Sequence, residues 1–210
     1  MPYYTKARRD HRKADTFRYV DDELSKIDSA LADIENRLTG WRDMLGPFAS
    51  GKIPAASAPT WAAFGSDGVI YQYQFALNDI IFVSYHADHD MEQSATMYPH
   101  MHWSTSGTDT NTVKWRIDYS IAARIGEAAF PAVSTVYCEA APNGTAWSHY
   151  VTEAASGVAT PTVDSMALVK ITRVTNGGTD NTDDVFGLTM DWHYPVDRYA
   201  TPSRDPDFYT

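Results

Sequence analysis

Four of the chain's seven histidines fall in two short runs that could ligate a metal or move a proton. His86-Ala87-Asp88-His89-Asp90 closes one apolar stretch, and His100-Met101-His102-Trp103 opens the next. Alternate residues of a strand share a face, so His100 and His102 are expected to point the same way. Two adjacent imidazoles suit zinc, iron or nickel. A hydrolytic centre would also need a third ligand and an acid, roles open to Asp88 or Asp90. The competing reading is two half-buried histidines hydrogen-bonded across neighbouring strands, with Asp88 and Asp90 in a turn.

Other chemistry finds less support. Cys138 is the single cysteine, so no intrachain disulfide or cysteine-based metal site can form. It follows Thr135-Val136-Tyr137 and reads as a small strand residue. No G-x-S-x-G, P-loop or G-x-G-x-x-G occurs. Asp118 and Glu139 could be paired as glycosidase carboxylates, but nothing singles them out from the other acids. Asn176-Gly177-Gly178-Thr179-Asp180-Asn181-Thr182-Asp183-Asp184 is rich in oxygen ligands without the EF-hand spacing, so it reads as a calcium loop or as an ordinary hairpin loop. Trp61, Trp103, Trp147, Trp192 and Tyr150 offer either a sugar-stacking platform or core packing. These observations lead to the expectation that the chain is not an enzyme.

The elements that would position these residues are of two kinds. Residues 19–46 read as a helix. Leu24, Ile27, Leu31, Ile34, Leu38, Trp41 and Leu45 recur at 3-4-3-4 spacing, the seam of a left-handed coiled coil. Leucine at a with isoleucine at d favours three or four strands over two. The alternative is an amphipathic helix lying on its own domain. Gly46-Pro47 is expected to end the helix. Residues 47–64, with Pro47, Pro54 and Pro59 among small residues, read as a semi-rigid linker.

From residue 65 the period falls to two. Strands are expected at 69–75, 79–85, 98–104, 113–121, 135–139, 149–153, 167–174 and 185–194, separated by turn-rich clusters. Phe186, Leu188, Met190, Trp192 and Tyr194 should share one face of the last. Residues 122–129 read equally as a helical turn or as more strand. Eight strands with no helix between them predict a mainly β chain: an antiparallel, jelly-roll-like β-sandwich over 65–195, preceded by the coiled-coil helix. Residues 196–210 read as an extended arm.

Net charge is −10, unevenly spread. Residues 1–18 carry +4 and the remainder −14. The acidic body argues against nucleic acid as a partner. Lys6, Arg8, Arg9, Arg12 and Lys13 make the N-terminal segment a candidate anchor on an acidic surface, or a solvated terminus. No apolar run approaches the ~18 residues of a membrane helix, so no membrane partner is expected. The polar start carries no signal-peptide pattern, so synthesis and assembly are expected in a cytoplasm.

The stretch from Ala95 to Tyr119 contains Tyr98-Pro99-His100-Met101-His102-Trp103, then a Thr/Gly/Asn turn, then Val113, Trp115 and Tyr119. This segment resembles a family of uncharacterised virion structural proteins of tailed phages. Asp79-Ile80-Ile81-Phe82 and Met190-Asp191-Trp192-His193-Tyr194-Pro195 are similar to it as well. The resemblance spans about residues 65–195 and implies a β-sandwich, no known catalysis and a homo-oligomer in the virion. Combined with the seam, it suggests a homotrimeric spike, fibre or collar protein whose partners are copies of itself and portal, adaptor, tail or capsid proteins. Were the sandwiches to pack around the trimer axis, an axial His100/His102 pair would present six imidazoles to one ion. A capsid decoration protein and a carbohydrate-binding host-recognition module are the alternatives.

Overall fold

The computed structural model describes residues 3–38, 40–124 and 126–197, with helix side chains described from 17 to 35. The chain divides into two compact units, Met1–Gly40 and Trp41–Thr210.

The first unit is one helix, α1 (Tyr3–Leu38). Within the N-terminal segment read as an anchor or a solvated terminus, residues 3–18 are helical. The side chains of Lys6, Arg8, Arg9, Arg12 and Lys13 lie outside the described residues, as does that of Leu38. Leu24, Ile27, Leu31 and Ile34 lie on the helix, and each is about half exposed, at 51–53%. Phe17 and Val20 are exposed as well, and they continue the same 3-4 spacing one heptad toward the N-terminus. Trp41 and Leu45 leave it. The exposed apolar stripe among the described helix side chains therefore starts a heptad earlier than the expected span.

The helix stops before its predicted end because the following residues pair as a strand. β1 (Gly40–Met44) joins the sandwich through β11. Trp41 packs against Tyr98 and His193, with ring centroids 6.1 and 5.2 Å apart. Arg42 pairs with Asp90. These contacts outweigh the heptad spacing, since propensity is a weak local preference that tertiary packing overrides.

Among the described residues the second unit is built from strands and one short 3-10 turn (Phe48–Ser50). The remaining strands are β2 (Thr60–Phe64), β3 (Ile70–Phe75), β4 (Ile80–His86), β5 (Thr96–Thr105), β6 (Val113–Ala122), β7 (Ser134–Ala140), β8 (Tyr150–Glu153), β9 (Val158–Ala159), β10 (Met166–Val174) and β11 (Val185–Val196). All eight expected strands are present. The larger sheet runs β2-β3-β11-β5-β8, with β1 on β11 and β9 on β5; the smaller runs β4-β10-β6-β7. Every strand pairing with a described register is antiparallel. The chain alternates between the layers, so the two sheets close one core.

That core is aromatic. Trp103, Trp115 and Trp192 are fully buried, with Phe48, Phe75, Met101 and Ile81 beside them. Edge-to-face pairs bridge the sheets: Phe75 on Trp115 at 5.2 Å, and Tyr119 on Trp192 at 5.6 Å. Such geometry adds roughly 0.5–1.5 kcal/mol per pair beyond area burial.

The segment expected as a linker, 47–64, belongs to the sandwich. Phe48 is buried at 0% exposure, Lys52 bridges to Phe82, and β2 pairs along β3. Prolines stiffen this segment without freeing it. Ala122 ends β6, and the described residues of 123–129 are neither helix nor strand; the Glu127 N–H closes a turn on the Arg124 carbonyl at 3.0 Å. Val196, expected to open the extended arm, is the buried last residue of β11, and residues 198–210 lie outside the described residues.

β11 carries one correction to the predicted facing. The register against β5 slips between Gly187 and Thr189, leaving Leu188 as the extra residue of a bulge. A bulge reverses side-chain parity. Met190, Trp192 and Tyr194 face the core, while Phe186 faces outward onto Phe64 and Trp147 at 5.2 and 5.6 Å. Gly187 takes the core-facing place. A Cβ there would stand 2.6 Å from the Phe48 ring and 2.8 Å from that of Phe75.

Candidate metal centre

The outer face of the large sheet gathers histidines and acids from four segments of the sandwich. β5 alternates Met97, Pro99, Met101 and Trp103 inward with Tyr98, His100 and His102 outward. The ladder sets His102 opposite Thr189, His100 opposite Asp191, and Tyr98 opposite His193. On the other side β8 sets Glu153 beside His100 and Val151 beside His102. β1 adds Trp41 and Asp43.

His100 and His102 share this face, as the period of two requires, with ring centroids 5.0 Å apart. His100 is buried at 5% exposure and His102 is half-buried. Two groups of three ligating side chains have all their ligand atoms within 4.8 Å of one another: His100 with His102 and Asp191, and His100 with Asp43 and His193.

Asp191 anchors the first group. It is 3% exposed. Its Oδ1 accepts the Gly46 N–H at 3.1 Å and the Thr189 hydroxyl at 2.6 Å. Its Oδ2 faces the imidazoles, 3.3 Å from His102 Nε2 and 3.9 Å from His100 Nε2. Only glycine fits at position 46, where a Cβ would stand 2.2 Å from the Tyr85 hydroxyl oxygen. Asp43 Oδ1 stands 3.7 Å from His100 Nε2 on the more exposed side.

His102 is held from behind. Its Nδ1 lies 2.8 Å from His149 Nε2, and the two rings stack at 20°. Burial lowers the pKa of His102; Asp191 opposes that shift, while His100 and His149 add to it. The ring is therefore biased toward the neutral form. His102 Nε2 and His100 Nδ1 are both buried with no hydrogen-bond partner.

The acids expected to complete this site are elsewhere. Tyr194 Oη lies 3.1 Å from Asp88 Oδ2 and 3.0 Å from Asp90 Oδ1, sharing its one proton between them, and Arg42 takes the other Asp90 oxygen. His86 Nε2 pairs with Asp164 Oδ1 at 2.5 Å, with the His89 ring stacked alongside. The two histidine runs thus build separate clusters. Asp191 was missed from sequence, although one signal pointed to it: a lone acid inside an apolar strand, at the parity of His193 and opposite to Trp192.

The remaining candidates resolve structurally. The carboxylates of 176–184 are taken up by donors of the protein itself, Asp184 by the Gln74 side chain at 2.6 Å. Asp180 accepts the Asn176 N–H at 2.9 Å and Asp183 accepts that of Asp109 at 2.9 Å. Asp118 bonds Lys170, Thr135 and Arg116, so it serves the sheet rather than pairing with Glu139, which binds Lys114. Burial pushes the Cys138 thiol up to about 12, which makes it inert. Of the five aromatics considered as a platform, Trp103 and Trp192 are in the core, Tyr150 and Trp147 are half-buried, and Trp61 stands out against Tyr73.

No protein-family model matches the chain, and no curated protein matches it. Solved structures share distant shape only. The carbohydrate-binding module CBM35 of Cellvibrio japonicus Abf62 is 9% identical, with 72% of this chain covering 92% of that one at a TM-score of 0.39. A chain of the infectious bursal disease virus Gx strain is 8% identical, with 80% covering 33% at 0.34. The latent PorU dimer of Porphyromonas gingivalis is 8% identical at 0.37, and the match of 76% of this chain spans only 13% of PorU. At these values the likenesses carry no argument for a shared function.

Proposed function

We propose that this chain is a non-enzymatic structural subunit that assembles with copies of itself through α1, as a homotrimeric component of a tailed-phage particle. The observation that carries self-assembly is the apolar stripe of Phe17, Val20, Leu24, Ile27, Leu31 and Ile34, all 45–67% exposed on a 36-residue helix. Most helical stability in proteins comes from packing an apolar face rather than from propensity. Fully burying a Leu or Ile is worth roughly 1.5–3 kcal/mol, so six half-exposed positions recover several kcal/mol per chain when a partner covers them. A stripe two residues wide per heptad matches a coiled-coil seam better than a face docked on a globular core. Isoleucine at d supports more than two strands. The virion setting rests on the resemblance that spans about residues 65–195.

The test is the mass of the full chain in solution by size-exclusion chromatography with light scattering. A trimer is expected at micromolar concentration. The double substitution I27D/I34D should yield a monomer whose near-ultraviolet circular dichroism, dominated by the buried tryptophans of the sandwich, matches the parent. A monomeric parent chain would remove the reading. Location on the particle is read from a cryo-EM map of the virion.

A further inference from the structure

We infer that His100, His102 and Asp191 bind one divalent transition-metal ion of the zinc class, pinning β5 to β11 on the outer face of the large sheet. This inference stands on the sandwich alone and is independent of how the helix assembles.

The first argument is distance. A tetrahedral ion with bonds of about 2.0–2.1 Å sets its ligand atoms about 3.3–3.4 Å apart. His102 Nε2 and Asp191 Oδ2 are 3.3 Å apart, and His100 Nε2 lies 3.9 Å from the same oxygen. The first spacing is that of a ligand pair; all three ligand atoms lie within 4.8 Å of one another.

The second argument is unmet valence. His102 Nε2 is buried and makes no hydrogen bond although a carboxylate oxygen sits 3.3 Å away. Buried polar groups are rarely left so, because an unpaired one has given up its water without gaining a partner. When Nδ1–H donates to His149 Nε2, the Nε2 lone pair confronts the lone pairs of Asp191 Oδ2. A cation between them turns that repulsion into two bonds. His100, with a side chain only 7% exposed, adds a third donor within reach.

The third argument is the surrounding shell. Metal-bound histidines use their other nitrogen on a fixed partner, and bound carboxylates are hydrogen-bonded on the remaining oxygen. His149 meets His102 Nδ1, while Gly46 N–H and the Thr189 hydroxyl occupy Asp191 Oδ1. Asp43 Oδ1, 3.7 Å from His100 Nε2, stands where the site opens to solvent. Two imidazoles with one carboxylate favour zinc-like ions over calcium or magnesium.

The experiment titrates EDTA-stripped full-length protein with zinc chloride by calorimetry and with cobalt chloride by visible absorption. One ion per chain is expected, with ligand-field bands for cobalt and a zinc-dependent rise in Tm. D191N and H102Q should each weaken binding by at least about tenfold. H86A, in the other histidine cluster, should leave it unchanged. The parent's stoichiometry, cobalt spectrum and Tm shift need no variant, so a misfolded D191N leaves the inference testable. Absence of saturable binding by the parent overturns it. So does unchanged affinity in both D191N and H102Q, or loss confined to D43N and H193A, which would move the ion to the other triad.

Discussion

Asp118 shows how one side chain stitches an exposed sheet face. It is 4% exposed at the centre of the small sheet, 2.8 Å from Lys170 Nζ, 2.8 Å from Arg116 Nε and 2.6 Å from the Thr135 hydroxyl. Burial alone would raise its pKa. The hydrogen bonds from Lys170, Thr135 and Arg116 together outweigh that and hold the carboxyl below the usual carboxylate range. A depressed native pKa means the folded state binds fewer protons, so this stability is present above the unfolded value of about 3.9 and drains away as pH falls through the native one. D118N is therefore expected to cost about 1–3 kcal/mol at pH 7 in urea unfolding, its two cationic partners losing a charged acceptor. The gap between parent and variant should narrow below about pH 4. A gap independent of pH would mean that the charge of Asp118 contributes nothing.

At the scale of elements, α1 is divided by charge. Residues 3–18 carry +4 and residues 19–38 carry −4. In a parallel trimer each half faces halves of its own sign. On the heptad frame that puts Leu24 at a, Glu23 and Asp28 flank the seam at g and e, where parallel chains bring them together. Salt screens such repulsion, with a Debye length of about 10 Å at 0.1 M falling to about 3 Å at 1 M. Association of the full chain is thus expected to strengthen as sodium chloride rises, read by sedimentation equilibrium. Weakening with salt would indicate an antiparallel arrangement, in which basic halves face acidic ones.

For the whole molecule, the boundary lies at Gly40/Trp41 rather than after residue 64. The sandwich draws Trp41, Phe48 and β2 into its own packing. A fragment of residues 41–210 is expected to fold, with a cooperative melt and the near-ultraviolet signal of buried tryptophan. A fragment of residues 65–210 loses the fully buried Phe48, the β2 edge and β1. Removing one buried Phe alone costs about 3–5 kcal/mol, a large part of the 5–15 kcal/mol that holds a domain together. It is expected to melt much lower or to remain unfolded by circular dichroism. Equal stability of the two fragments would restore 47–64 as a linker.

The eight expected strands were legible because period-two alternation is a local pattern that each segment declares for itself, as Val113, Trp115 and Ile117 do against Lys114, Arg116 and Asp118. The shared face of His100 and His102 follows from the same rule. The seam spacing was legible too, but its extent was not: Trp41 and Leu45 continue the arithmetic, and only the pairing of β1 on β11 takes them out of it. Nor could local pattern show the Leu188 bulge that turns Phe186 outward, or the meeting of Asp191 with His100, about ninety residues apart in the chain. Both are decided by register between distant strands, which depends on what fills the space between the sheets. Residue types and spacing by themselves determined which elements this chain makes; the packing of Phe48, Phe75 and Trp192 decided which residues those elements bring face to face.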